Sequence, residues 1–303
     1  MTTHQNGDAI HTVQGGAVSP PVTAPPVYDL PQGIHTDVPM GRYINDQLRR
    51  ELTVSTGIID AIVSRSPLHA WQAHPRLGGG GDSPTSRSDL GSAVHSAILG
   101  GANIVYVDAS DWRTKVAQLA RDEARNRCQI PLLAHQRDQV AQIAGNARVV
   151  LGNFGPGKPE QTLLWNDDGA WCRGRADWLT DDGAYDIDVK TCGNADAATW
   201  IRSTLIQGSY DVQAALRMRG HEAIGGRTRD FIFLLVEIDP PYAVSTIGVG
   251  PALRELADRK VALGLKRWRE CIASGKWPAY STEPVWAEPP GFALWDIEQR
   301  EIA

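Results

Sequence analysis

The chain has 303 residues, 42% of them apolar and 21% charged, enough for one large domain or two modest ones with a sizeable core. A net charge of -5, a pI near 5.9 and a mean hydropathy of -0.28 exclude a strongly basic nucleic-acid-coating protein. No apolar run approaches the roughly 18 residues of a membrane-spanning helix, so no membrane partner is expected. Cys128, Cys172, Cys192 and Cys271 are scattered without a C-x-x-C pair, which argues against a disulfide scaffold and a structural zinc site. The opening MTTHQNGDAI lacks the basic-then-apolar pattern of a secretory signal, so the expected location is cytoplasmic. Arginine outnumbers lysine 24 to 6, which fits either a genome-wide bias or phosphate recognition.

Residues 1–40 carry two Pro-Pro pairs and no Lys or Arg, and are expected to form a flexible tail. One domain is expected over 41–303: a helical part at 41–150, a core at 151–250, and a C-terminal helix and tail at 251–303. Ile58, Ile59, Ile62 and Val63 at helical spacing predict a helix over 55–71, with Ser55 as its cap. A loop holding the glycine run 78–81 follows, then helices over 88–99, 111–128 and 133–149. Past Glu160 the period changes to two, and strands are predicted at 162–165, 171–179 and 185–191. Asn194 or Asp196 caps a predicted helix running to about residue 219; strands at 230–237 and 242–249 and a helix at 251–274 complete the pattern. Helices, a strand meander, a helix and further strands make an α/β or α+β domain.

Residues 174–191 (GRADWLTDDGAYDIDVKT) are the most informative segment. Two strand-like runs flank Asp182-Gly183, a hairpin-turn dipeptide. With that pair as the turn, Asp177 lies opposite Asp188 and Arg175 opposite Lys190. Opposed Cβ atoms are about 4.5–5.5 Å apart, close enough for two carboxylates to repel. Asp186, Asp188 and Lys190 share the face of Asp177, whereas Ala176, Trp178, Ile187 and Val189 form an apolar face. Two carboxylates forced together beside an ammonium suit a hard divalent cation, Mg²⁺ with Mn²⁺ as substitute. Lys190 then orients or deprotonates the attacking water, or stabilises charge on the phosphate.

An Asp followed eleven residues later by Asp-x-Lys resembles the PD-(D/E)xK nuclease core. More narrowly, GSAVH at 91–95, CRGRADWL at 172–179, DIDVKT at 186–191 and YDVQAA at 210–215, with WPAY at 277–280 and PVWA at 284–287, resemble RecE-type (exodeoxyribonuclease VIII-like) exonucleases. The resemblance implies a restriction-endonuclease-like core, a central mixed β-sheet flanked by helices. It implies His95, Asp177 and Asp188 as metal ligands, Lys190 as the catalytic lysine and Gln213 as a glutamine near the site, with Tyr210 on the same helical face. Many such relatives carry a tyrosine where this chain has Arg217, so Arg217 and Arg175 stand as possible DNA-phosphate contacts. Glu160 is a further acidic ligand, a general base or a solvated loop acid, and Asp186 is a further possible site carboxylate. The implied activity is Mg²⁺-dependent 5′-to-3′ degradation of linear double-stranded DNA from its ends. The implied setting is a phage or prophage recombination system with a RecT-like annealing protein and a homo-oligomeric ring. Competing readings keep the site for an endonuclease or single-strand-specific nuclease, or make the chain a non-catalytic DNA-binding protein.

Other motifs compete for attention. Residues 152–159 (GNFGPGKP) nearly spell a phosphate-binding loop, but Pro159 replaces the metal-binding hydroxyl and Pro156 removes an amide from the cradle. His69 and His74 lack a third ligand and are expected at the surface or in packing. The ten Trp are expected mostly in the core, with Trp165 and Trp178 on predicted strands and Trp200 on the helix after the site, and one or two of the ten are left to stack on a frayed base. Between residues 251 and 276, seven Lys or Arg against three acids either track DNA phosphates or form a solvated face.

Overall fold

The computed structural model describes residues 29–79, 86–101, 103–225, 229–289 and 291–302. The first 28 positions of the expected tail, Gly80 and Gly81 of the glycine run, and Arg227 lie outside the described residues. In chain order the first elements are β1 (Gly33–His35), α1 (Met40–Ile44), β2 (Thr53–Val54), α2 (Thr56–Asp60), α3 (Pro67–Ala73) and α4 (Ser86–Leu99). Then come β3 (Ile104–Val107), α5 (Lys115–Asn126), β4 (Ile130–Leu133), α6 (Arg137–Gly152), β5 (Gly157–Asp167), β6 (Ala170–Thr180) and β7 (Tyr185–Cys192). The last are α7 (Ala197–Trp200), α8 (Tyr210–Gly225), β8 (Asp230–Glu237), β9 (Val244–Gly248), α9 (Pro251–Ser274) and α10 (Gly291–Ile302).

The mixed sheet flanked by helices is present. Its order is β1-β5-β6-β7-β8-β9, with β2 lying parallel beside β6. The β7–β8 pair is parallel, so the chain must cross over between them, and α7 and α8 form that crossover. One face of the sheet packs on α2, α8 and α9 through Ile59, Trp165, Cys172, Leu216, Val261 and Trp268. The other packs on α4 and α6 through Val94, Ile143, Ile187, Val189 and Leu234. Two glycines let α8 lie close to the sheet: a Cβ on Gly220 would sit 2.8 Å from the Trp165 ring, and one on Gly174 would sit 3.0 Å from Arg217 Cγ. Among the described residues, no helix is long and apolar enough to cross a membrane.

Strand β8 and helix α9 have the predicted bounds, and Gly275 closes α9 in the left-handed conformation with φ 67°. Elsewhere caps and prolines redraw the elements. The helix expected over 55–71 loosens into a wide π turn at Ala61–Arg65 and restarts at Pro67, where Ser66 caps the amide of His69. Thr114 caps Ala117, so α5 begins at Lys115 rather than at 111. Asp196 caps α7 through the amide of Thr199 at 2.8 Å, but that helix ends before Gly208, and Ser209, at φ 54°, reverses the chain ahead of α8. Residues 29–40, expected in the tail, are partly structured: β1 pairs with β5 and Val38 is buried. The β3–β4 pair was not expected, because each strand is four residues and Pro131 masks β4. Residues 153–156 join α6 to β5, which already includes Gly157, Lys158 and Pro159, and a strand rather than a helix follows, so the segment is not a phosphate cradle.

Candidate active site

Helix α8 and strand β7 run antiparallel and in step. Alternate residues of a strand repeat about every 6.6–6.8 Å and four helical residues rise about 6 Å, so two such rows stay in register over two or three repeats. The helix row is Gln213, Arg217 and His221; the strand row is Asp188 and Asp186. Gln213 Nε2 donates to Asp188 Oδ1 at 2.7 Å, and Arg217 Nη1 donates to the same oxygen at 2.5 Å. Arg217 Nε donates to Asp186 Oδ2 at 3.0 Å, and His221 Nε2 lies 2.8 Å from that oxygen. One repeat further, Lys190 Nζ lies 4.8 Å from the centre of the Tyr210 ring, which stacks on Trp200. The polar row of the helix is thus matched by the carboxylates of the strand.

Asp177 reaches this row from β6. The hairpin register is the predicted one, with Trp178 opposite Ile187 and Leu179 opposite Asp186. Gly183, at φ 76°, ends the turn, and the Thr180 hydroxyl takes the amide of Tyr185 at 2.9 Å. Beyond Trp178 the ladder stops, and Asp177 Oδ2 accepts the Val189 amide at 2.7 Å in place of a backbone partner. The β5–β6 ladder lapses at the same level, where Glu160 faces Asp177 with φ 56°. Strict alternation fails there: Ala176 packs toward α8 and α9, whereas Trp178 packs toward α4 and α6. The apolar face expected to hold both residues is therefore split, and Asp177 sits at the slip. Helix α4 supplies His95, whose Nε2 lies 3.0 Å from Asp177 Oδ2 and whose Nδ1 lies 3.9 Å from Glu160 Oε1. Gly91, one turn earlier, faces Thr191 of β7 with room for a Cβ only at 3.0 Å from its hydroxyl.

A cavity of about 1090 Å³ opens over this group, lined among others by His95, Glu160, Lys190, Thr191 and Tyr210. Burial by itself disfavours a charged Asp177, but His95, Arg217 and Lys190 outweigh it and hold the pKa down at about 2. Burial also opposes a charged His95, and Asp177, Glu160 and Asp188 reverse that effect and raise its pKa. Lys190 follows the same balance: burial opposes the ammonium, the carboxylates of Asp188 and Asp177 win, and the group stays protonated. Deprotonation of water by Lys190 is therefore the least favoured of its three expected roles.

A family model described as a PDDEXK-like domain of unknown function (DUF3799) matches residues 69–284, a span holding His95, Asp177, Asp188, Lys190 and Gln213. The chain belongs to that family. A crystal structure from Eubacterium rectale, provisionally described as an exonuclease, is similar to this PDDEXK-like chain with a TM-score of 0.60 at 12% identity, covering 86% of this chain and 98% of that one. That identity speaks for the fold alone. An alkaline exonuclease from Laribacter hongkongensis aligns with a TM-score of 0.27 at 15% identity, over 70% of this chain and 93% of that one. A phage-related exonuclease from Haemophilus somnus aligns with a TM-score of 0.31 at 12% identity, over 60% and 95%. No curated protein matches in sequence.

Within the PDDEXK-like fold, His95, Asp177, Asp188, Lys190, Gln213, Glu160 and Tyr210 come together. Among the described residues, no three His, Cys, Asp or Glu side chains converge as a preformed metal cluster. The donor set nevertheless suits a divalent cation: an imidazole nitrogen and carboxylate oxygens, with Asp188 Oδ2 buried and lacking a hydrogen bond. Lys190 Nζ lies 2.6 Å from that oxygen without hydrogen-bond alignment, a cation already standing beside it.

Three expected site residues play other parts. Asp186 is fully buried and belongs to Arg217 and His221, so it does not face the cavity. Arg217 is 2% exposed, with every guanidinium nitrogen engaged, and is not a DNA contact. Arg175 is spent on Glu160, the Val38 carbonyl and Thr162, which also removes it from phosphate contact. His221, missed in sequence, was visible there as the third member of the four-residue spacing from Gln213. Trp165 and Trp200 are buried and Trp178 packs inward, so these three are not free to stack on a base, whereas Trp286 and Trp295 are exposed. His74 is buried against Asp46 and Trp268, and His69 lies against Tyr280. On α9, Arg254, Lys260, Arg267 and Arg269 bind acids or carbonyls, which weakens the phosphate-tracking reading of that helix.

Proposed function

We propose that this chain is a metal-dependent deoxyribonuclease of RecE type. The reading includes 5′-to-3′ hydrolysis of phosphodiester bonds from the ends of linear double-stranded DNA. The observation that carries it is the side-chain cluster of His95, Asp177, Asp188, Lys190 and Gln213, drawn from α4, β6, β7 and α8, in which His95 and Lys190 border one cavity. His95, Asp177 and Asp188 are the residues that would hold Mg²⁺ or Mn²⁺. When bound, such a cation supplies Lewis-acid polarisation of the phosphate and acidifies water. Lys190, kept as an ammonium, binds a non-bridging phosphate oxygen and offsets the charge that develops as water attacks phosphorus and the ester oxygen leaves. Gln213 fixes the Asp188 carboxylate, Asp177 orients His95, and the Tyr210 ring lies under the Lys190 ammonium.

One observation favours a single strand at the point of cutting: among the described residues, Lys190 is the only Lys or Arg lining the cavity. A duplex tracked by its phosphates asks for more cations than that. The proposal thus includes fraying of the end before cleavage, with a single-strand-specific nuclease as the second reading. The phage or prophage setting, the cytoplasmic location, the RecT-like annealing partner and the homo-oligomeric ring are carried into the proposal by the resemblance alone.

The test is digestion of linear duplex DNA labelled at its 5′ or its 3′ end, beside a single-stranded substrate, with and without Mg²⁺. Early release of the 5′ label is expected, with Lys190→Ala slower by about 10²–10³-fold. Release from neither end, or equal rates for wild type and variant, refutes the reading.

A further inference from the structure

We infer that Arg217 is a resident counter-ion that positions Asp188 and restricts the site to one divalent cation per chain. The inference rests on the nuclease reading above. A two-cation phosphoryl-transfer site sets its ions roughly 3.5–4 Å apart, which asks a shared carboxylate to give one oxygen to each. Asp177 already has its Oδ2 on the Val189 amide and beside His95 Nε2, and Asp188 has only one oxygen to give. Its Oδ1 accepts from Gln213 Nε2 at 2.7 Å and from Arg217 Nη1 at 2.5 Å, whereas Oδ2 is the buried oxygen without a hydrogen bond.

Arg217 cannot yield that place. Its guanidinium does not lose its proton in proteins. It is 2% exposed, grips Asp186 through Nε and Nη2, and donates to the Arg175 carbonyl at 3.0 Å. Its stem lies against Gly174, where any larger residue would crowd it, and its head lies 4.5 Å from the Phe231 ring centre. Turning it away would strand Asp186, fully buried, with His221 as its remaining partner. Lys190 is the contrast: its side chain is 22% exposed and borders the cavity, so it has room to leave its 2.6 Å contact with Oδ2 and hand that oxygen to a cation. A fixed positive charge on one oxygen of Asp188 both occupies the second coordination position and repels a second dication.

The experiment counts Mn²⁺ bound to the chelator-stripped, DNA-free full chain by titration calorimetry and electron paramagnetic resonance. Ions retained by His95→Ala and Asp177→Asn are subtracted as lying elsewhere. One site-specific ion per chain is expected. Two such ions overturn the inference and leave the metal-dependent nuclease reading standing; none removes that reading and this inference with it. The double variant Asp186→Asn/Arg217→Gln deletes the buried pair together, so no carboxylate of that pair is stranded. Once its fold is verified by circular dichroism, it is expected to bind Mn²⁺ about tenfold tighter or to take a second ion. Unchanged affinity and count in the folded variant overturn the inference, and if the variant does not fold, the wild-type count decides.

Discussion

Arg217→Met keeps a linear stem on α8 and deletes the guanidinium. In the wild type that group neutralises Asp186 and Asp188, which are 0% and 2% exposed. Removing one partner of a buried ion pair costs about 3–5 kcal/mol, because the other charge stays behind without water. Asp186 keeps His221, 2.8 Å away, and Asp188 keeps Lys190 and Gln213, so the cost falls mainly on Asp186. A destabilisation of about 3–5 kcal/mol at pH 7.5 follows, or roughly 6–12 °C in melting temperature for a chain of this size. Burial alone would raise the Asp186 pKa, but Arg217 and His221 hold it below the ordinary carboxylate range. A group depressed in this way contributes stability that is complete above its unfolded pKa and fades as pH falls through the native one. The gap between wild type and variant is therefore widest near neutrality and narrows on acidification, when Asp186 in the variant is protonated. Urea denaturation followed by circular dichroism at pH 7.5 and 4.5 measures both quantities. A cost below about 1 kcal/mol at pH 7.5, or a gap that grows on acidification, would refute the clamp described for Arg217.

Two further perturbations probe the packing and the electrostatics separately. Gly220→Ala puts a Cβ within 2.8–3.0 Å of three atoms of the Trp165 ring and is expected to cost about 1–3 kcal/mol. Gly145→Ala, on the outer face of α6 with nothing within 4 Å, should instead be neutral or stabilising by about 0.4–1 kcal/mol. Calorimetric melts of the two variants check that opposite sign. For His95 the native pKa is raised, so the stability it gains from Asp177 is full below the ordinary imidazole value and is lost as pH rises through the native one. Melting temperatures of wild type and His95→Ala should accordingly converge from pH 5.5 toward pH 9; a constant difference would count against the His95–Asp177 pair.

What was legible in the sequence follows a physical division. The hairpin was readable because a two-residue side-chain period and a turn dipeptide act locally, and together they fix the register as far as Trp178 and Ile187, one residue short of Asp177 and Asp188. Local rules end where the ladder ends. The slip that sends Ala176 and Trp178 to opposite faces arises where Glu160, on a neighbouring strand, takes a left-handed conformation opposite Asp177. Nothing in the order of residues around Asp177 encodes that event, since its cause lies across the sheet.

Arg217 shows a second kind of gap. Its spacing from Gln213 and His221 identifies one face of a helix, and spacing alone cannot say whether that face meets solvent or the sheet. Read as outward it is a phosphate contact; covered by β7 it becomes the partner of two carboxylates. The same ambiguity bears on the net charge of -5. Arg173 serves Asp46, Arg175 serves Glu160 and Arg217 serves Asp186 and Asp188, so several cations never reach the surface. A formal charge counts them as though they did. The property that decides whether this chain can hold a divalent cation is the local balance around Asp188, where Lys190 can move aside and Arg217 cannot.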